Sequence, residues 1–210
     1  MSAVAFDFDG CLVESRFAIV PSMRVALAEL GLPQVPDADL ERLIGPPLES
    51  GVAELLLRIG EDPTRAAEVV RAYRADYRQH MLDRTALMPG VEAAVRKIAA
   101  ARGACVVTSK PAVLAEEIAR HLGLMDVLAF VEGPSLSMEH ETKTETLGRA
   151  MARLSIGAMV GDRHHDIDAG RAHGLLTVGV RWGMGSAEEL ELAGADHVVA
   201  SPDELGELLT

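Results

Sequence analysis

Apolar residues along this chain follow two rhythms, and the change between them divides it. Near the start a continuous run, Val4-Ala5-Phe6, ends in Asp7-Phe8-Asp9-Gly10. An unbroken apolar run closed by glycine predicts a strand buried in a parallel sheet. From about Ser15 to Asp83 the spacing is helical. Val20, Met23, Leu27 and Leu30 share a face that stops before Gly31 and Pro33, Leu48, Val52, Leu55 and Ile59 form a stripe ending at Gly60, and Val69, Tyr73 and Tyr77 form another after Pro63. Beyond Pro89 helices alternate with short apolar runs. The runs are Ala104 to Val107, Val127 to Val131, Ile156 to Val160, Leu175 to Val180 and His197 to Val199, with helices through Val95, Ile118, Leu147 and Ala169 between them. Such alternation predicts an α/β chain with a doubly wound, mostly parallel sheet and right-handed crossovers. The first strand belongs with the later ones, so residues 15–84 are expected to be an all-helical insert in a core made of 1–14 and 85–210.

The composition narrows the partners. At 210 residues the chain can hold one substantial core and a smaller lobe. No segment approaches the roughly 20 apolar residues of a membrane span, and the first strand follows the N-terminus without a basic and cleavable apolar stretch, so a cytoplasmic protein is expected. A formal net charge of -12 opposes binding to a nucleic acid polymer, whose affinity rests on Lys and Arg. A small phosphorylated molecule is compatible with that charge, because a few placed cations can set the local potential. The two cysteines, Cys11 and Cys105, lie in or beside apolar runs and read as reduced, buried thiols.

The candidate chemistry lies at strand ends, where open sheets of this kind bind ligands. Side chains two apart on a strand point the same way, so Asp7 and Asp9 are expected to converge, which is costly unless a cation intervenes. Thr108 ends the second run and, with the helix start after Pro111, suits a phosphoryl oxygen. Thr142-Lys143-Thr144-Glu145 matches a capping box, and Lys143 in a first helical turn opposes the macrodipole unless it serves another anion. In Gly161-Asp162-Arg163-His164-His165-Asp166 a strand again ends in an acid, with Asp166 placed as an N-cap or as a brace for a metal ligand. The neighbouring His164 and His165 lack a third ligand at zinc spacing. The hard oxygen donors Asp7, Asp9 and Asp162 favour Mg²⁺.

Asp7-Phe8-Asp9-Gly10, Thr108, Lys143 and Gly161-Asp162 with Asp166, in that order, closely resemble the four motifs of the haloacid dehalogenase superfamily of phosphatases. The resemblance spans essentially the whole chain and implies a Rossmann-like core carrying a small helical cap for substrate specificity. Gly45-Pro46-Pro47 resembles the specificity turn of phosphoglycolate phosphatase-like members. Together with Gly161-Asp162-Arg163 it is also similar to bacterial 5′-nucleotidase-like proteins. The resemblance implies that Asp7 is a nucleophile forming an aspartyl phosphate, and that Asp9 is the acid and then the base. Thr108, Ser109, Lys143 and Gly10 would bind phosphate. Asp7, Asp162 and the main-chain carbonyl of Asp9 would hold Mg²⁺, with Asp166 bracing that site or Lys143. An acid at Asp9 favours phosphoryl chemistry over dehalogenation, since a halide leaves without a proton. Residues near Gly45 and Arg42 would face the leaving group, and the cap would move on linkers near Glu14 to Phe17 and Asp83 to Met88. Cys11, Glu14 and Ser109 depart from the usual Thr, Asp and Asn, and Cys11 places a thiol beside the phosphate loop. The expected activity is a Mg²⁺-dependent phosphatase for a small phosphate ester. The alternatives are a 5′-nucleotidase, a β-phosphoglucomutase-like mutase and a non-catalytic phospholigand-binding module.

Overall fold

The computed structural model describes residues 2–136 and 141–210. Among these residues the main sheet has six strands: β1 (Ala3–Phe6), β4 (Ala104–Val107), β5 (Val131–Glu132), β6 (Ile156–Gly161), β7 (Leu176–Val180) and β8 (His197–Val199). Their order across the sheet is β5-β4-β1-β6-β7-β8, and every pairing is parallel. The chain therefore starts in the middle and winds outward in both directions. The crevice created by that reversal lies at the carboxyl ends of β1, β4 and β6.

Alternate side chains of the same strands feed two cores. Val4, Phe6, Val106 and Val160 pack with α5 (Val91–Arg102) and α6 (Ala112–His121) on one face. Ala5, Cys105, Val107 and Met159 pack with α7 (Lys143–Arg153) and α8 (His164–Ala172) on the other. Burial on both sides explains why these strands read as continuous apolar runs. The expected strand over Val127 to Val131 is cut down to Val131–Glu132. A 3-10 turn at Leu124–Asp126 precedes it, and the segment first reaches β4 through an Ala129 N–H bond to Ala104 O at 2.8 Å.

Residues between β1 and α5 form four helices, α1 (Arg16–Glu29), α2 (Asp37–Glu41), α3 (Leu48–Arg58) and α4 (Ala66–His80). The three apolar stripes lie on α1, α3 and α4, whereas α2 is a five-residue turn of helix too short to show a period. Where the sequence predicts plain linkers, the two connections are zipped into an antiparallel ribbon of β2 (Val13–Glu14) and β3 (Ala86–Leu87). The insert's apolar interior, including Leu27, Leu56 and Tyr77, is continuous with the core that contains Phe6. Two short helices, α9 (Ala187–Leu192) and α10 (Pro202–Leu208), complete the layer around β7 and β8.

Leu27 is fully buried on α1. Leu27→Ala is expected to lower unfolding free energy by about 2–5 kcal/mol in chemical denaturation, the cost of a cavity in a closed core. A change below about 1 kcal/mol would mean that the insert contributes no cooperative core.

Candidate active site

Asp7 follows the last residue of β1, and its N–H bonds to Val160 O at 2.8 Å, so sheet pairing fixes its backbone directly. Asp162 follows β6, and Asp166 lies in the first turn of α8. Together they bring three carboxylate oxygens within 4.8 Å of one another. Lys143 faces this cluster. Its Nζ lies 2.5 Å from Asp7 Oδ1, 2.9 Å from Asp166 Oδ1 and 3.4 Å from Val107 O.

The expected capping box holds Lys143 in place. Thr142 Oγ1 accepts the Glu145 N–H at 3.2 Å, and Glu145 Oε2 accepts the Thr142 N–H at 2.8 Å. Lys143 is therefore the first residue of α7, and its side chain serves Asp7 and Asp166. Asp166 is not the N-cap but the third residue of α8, where Oδ2 accepts the N–H of the N-cap Arg163 at 3.1 Å while Oδ1 faces the ammonium.

Glycines make room for these acids. A Cβ on Gly161 would collide with Asp166, and one on Gly10 with Asp162. Gly183 and Gly185, which the sequence reading passed over, press on Asp162 in the same way, and the Met184 N–H between them donates to Asp162 Oδ2 at 2.7 Å. A Gly-x-Gly immediately beyond an apolar run was the available signal.

The electrostatics follow from burial. Asp7 is pushed well above the usual carboxylate range, first by burial and then by Asp166 and Asp162, with Lys143 opposing. Asp162 is raised to about 7 by burial and Asp166, against the Met184 N–H and Lys143. Burial alone would lower Lys143, but Asp166 and Asp7 outweigh it and raise the ammonium above its ordinary value. Three acids and one ammonium leave two negative charges when all are ionised. Asp162 Oδ1 is buried without a hydrogen-bond partner. This hard-oxygen donor set, with an orphaned oxygen and a twofold charge excess, fits a divalent Mg²⁺ ion.

Asp9 lies elsewhere than expected. After Phe6 the chain leaves the strand and turns, with the Leu12 and Val13 N–H groups both bonding to Phe8 O at 2.9 and 3.0 Å. The two carboxylates do not converge. Asp9 instead pairs with Lys110, Oδ1 to Nζ 2.5 Å, and both side chains are largely buried. The Lys110 ammonium lies 5.2 Å from the Tyr77 ring centroid and 5.8 Å from that of Phe8, within cation–π range. Lys110, in the turn between Thr108 and Pro111, is not among the residues expected at the site. A basic residue in the turn after a strand has no pattern of its own.

Thr108 is buried, and its Oγ1 accepts the Lys110 N–H at 3.1 Å. Asp7, Asp9, Thr108 and Ser109 line one chamber, whose opposite wall is Ile44, Gly45, Pro46 and Pro47 with Tyr73 and Tyr77 from the insert. Arg42 is not part of that wall. It pairs with Asp39 at 3.0 Å with its side chain 67% exposed, while Arg74 lines the chamber. Cys11 is buried, and its Sγ–H points to Val160 O at 3.9 Å. Burial, then Asp7, pushes this thiol well up, so it behaves as a small apolar group. His164 bonds to Glu189 through Nδ1 at 2.8 Å, and the Trp182 indole donates to Cys11 O at 2.9 Å. Among the described residues, Asp7, Asp162 and Asp166 are the one group gathered tightly enough to hold a metal.

A family model described as haloacid dehalogenase-like hydrolase matches residues 4–180, a stretch that runs from β1 to the end of β7 and contains every acid of this site. The chain belongs to that family. This haloacid dehalogenase-like hydrolase is 36% identical over 98% of its length to tyrosine-protein kinase PtkA of Mycobacterium tuberculosis, covering 72% of that protein. It is 32% identical to a 5′-nucleotidase of Pseudomonas aeruginosa, with 98% and 94% of the two chains covered. A phosphoglycolate phosphatase of Chromobacterium violaceum is also 32% identical, with 100% and 96% covered. The crystal structure of a predicted phosphatase from Clostridium acetobutylicum superposes with a TM-score of 0.89 at 29% identity, covering 99% of this chain and 97% of that one. The hydrolase is a phosphatase of this superfamily.

Because folding raises Asp162 to about 7, the folded hydrolase without metal holds that proton more tightly than the unfolded chain does. Its stability is therefore expected to fall as pH rises from about 4 to about 7. Thermal denaturation in EDTA should show this slope, and Asp162→Asn should flatten it. Mg²⁺ at about 100 times its dissociation constant should add about 2.7 kcal/mol at pH 7 in the unsubstituted protein. It should add much less in Asp162→Asn. No gain with Mg²⁺ would remove the metal site.

Proposed function

We propose that this chain is a Mg²⁺-dependent phosphomonoesterase acting on a small phosphate ester through an aspartyl phosphate on Asp7. The observation that carries this reading is the separation of the two acids. Asp7 lies in the metal-type cluster against Lys143, while Asp9 faces the chamber beside Lys110. Asp7, Asp162 and the Asp9 main-chain carbonyl would hold Mg²⁺, which when bound offsets the negative charge between the nucleophile and the phosphoryl oxygens. Asp166 would brace Lys143.

The residues divide the work. Lys143 pins the Asp7 carboxylate and supplies a cation for the phosphoryl group, with Thr108, Ser109 and the loop at Gly10 contributing donors. An Asp7 oxygen attacks phosphorus as the ester P–O bond breaks, and Asp9 gives its proton to the departing alkoxide. In the second step Asp9 takes a proton from water. That water attacks phosphorus, the acyl-phosphate P–O bond breaks, and inorganic phosphate leaves with Asp7 regenerated. A binding module has no need of a nucleophile and a separately held proton donor.

For the substrate, a phosphoglycolate-type ester is the first reading, supported by the Gly45-Pro46-Pro47 turn and by the relative of that name. Arg74 on the chamber wall supplies a cation for a carboxylate. A nucleoside 5′-monophosphate is the second reading, favoured by the rings of Tyr73 and Tyr77. These stack at 5.1 Å and 23° and, with Ile19, Leu43 and Ile44, make an apolar wall suited to a planar leaving group. Among the described residues no helix is long and apolar enough to cross a membrane.

The test is phosphate release from phosphoglycolate, nucleoside monophosphates and sugar phosphates, with Mg²⁺ and with EDTA. Asp7→Asn is expected to lose more than about 10³-fold in kcat and Asp9→Asn about 10²–10⁴-fold on alkyl esters. EDTA should silence the unsubstituted protein. Phosphate retained on sugar would mark a mutase, and label passed from ATP to a tyrosine would mark a kinase like the named relative. Full turnover by Asp7→Asn would end the proposal.

A further inference from the structure

The chemistry proposed above leaves Arg163 unused, although it directly follows Asp162. Its side chain turns away from the acidic cluster. Nε donates to Glu189 Oε1 at 2.9 Å, and Nη1 donates to the main-chain carbonyl of Ile44 at 3.2 Å, 119 residues away in the insert. The Glu189 carboxylate is itself held by the His164 N–H at 3.0 Å and Nδ1 at 2.8 Å. Arg163 is 17% exposed, so the contact is largely shielded from water.

The turn is shaped to this side chain. Gly45 has φ +105°, and a Cβ there would lie 3.4 Å from Arg163 Cγ, so the backbone runs over the aliphatic stem of the arginine. The turn has few amides with which to hold itself, because Pro46 and Pro47 have no N–H. The hydrogen bonds of Leu43 and Ile44 N–H go to Leu40 O and Glu41 O, both inside the insert. The Nη1 bond ties this turn to the sheet domain. On its other side Ile44, Gly45, Pro46 and Pro47 face the chamber that contains Asp7 and Asp9.

We propose that Arg163 is a positioning residue that fixes the Ile44–Pro47 turn and thereby sets the size of the leaving-group chamber. A guanidinium suits this task because its planar fork holds two acceptors at once in a fixed relation. A lysine carries the charge but not the fork. The effect on the turn stands on geometry alone, whereas the effect on selectivity rests on the phosphatase reading.

Two readouts separate those parts. In the full chain without substrate, Arg163→Ala is expected to speed amide hydrogen exchange at Leu43, Ile44 and Gly45 about tenfold, the loss of one charge-assisted bond, while β6 amides are unchanged. Arg163→Lys should behave like Arg163→Ala, and it carries the test if the alanine variant does not fold. With an ester that the unsubstituted enzyme hydrolyses, both variants should raise KM about tenfold for the smallest substrate with kcat within about twofold. The ratio of kcat/KM for a bulky ester over a small one should rise. Unchanged exchange in the turn, wild-type behaviour of Arg163→Lys, or an unchanged bulky-to-small ratio would each overturn the proposal. Faster exchange in the variants, with the unsubstituted chain inactive on every ester, would uphold the tether and defeat the phosphatase reading.

Discussion

The structure depends on one unbalanced charge cluster. Asp7, Asp162 and Asp166 are each at most 2% exposed, and one ammonium, Lys143, stands among them. Burying three carboxylates without compensation is far costlier than any single packing term in the fold. The local backbone is organised around that cost. Four glycines bring main chain against the acids, the Met184 N–H aims at Asp162, and a capping box presents Lys143 from the start of α7. With all four groups ionised the cluster carries two net negative charges, so it is a costly arrangement by itself and one that could hold a divalent cation. This is the reverse of what stability alone would select, as is common where function sets the arrangement.

The second consequence is the separation of two acids only two residues apart. If Asp9 also joined the cluster, its carboxylate would add to the repulsion. The turn after Phe6 removes it, and Lys110 receives it beside the rings of Tyr77 and Phe8. Each acid therefore has its own lysine partner, Lys143 for Asp7 and Lys110 for Asp9.

Much of this was legible in the sequence because it is written in strong periodicities. Both core faces, the interruption by helices and the strand-end positions of Asp7, Thr108 and Asp162 follow from apolar runs and their terminators. The capping box at Thr142 and Glu145 was legible because it satisfies two orphan amides at fixed spacing. What escaped has no period. The β2–β3 ribbon is two residues per strand, α2 is one helical turn, and β5 pairs through only Val131, the last residue of a longer apolar run, and Glu132 beyond it. Asp9 was placed by strand alternation, which fails once the chain has left the strand. Lys110, Gly183 and Arg74 reach the site through tertiary geometry, and Arg42, although next to the chamber-lining Leu43, pairs with Asp39 instead.

The acids and the chamber wall that faces them thus come from different parts of the chain. Sheet pairing fixes the acids, since Asp7 hangs on Val160 and the segment ending in Asp162 is paired on both sides by β1 and β7. The chamber wall comes from helices joined to the core by a short ribbon and a shared apolar interior, a softer attachment than six parallel strands. A wall of that kind can vary in sequence without disturbing the charge cluster, provided something registers it against the catalytic loops. Arg163 is suited to that register because its backbone belongs to the loop that follows Asp162 while its side chain reaches the turn. Any movement of the insert relative to the sheet must first break or carry this bond, so the position of the Ile44 turn is referred directly to the loop that carries Asp162.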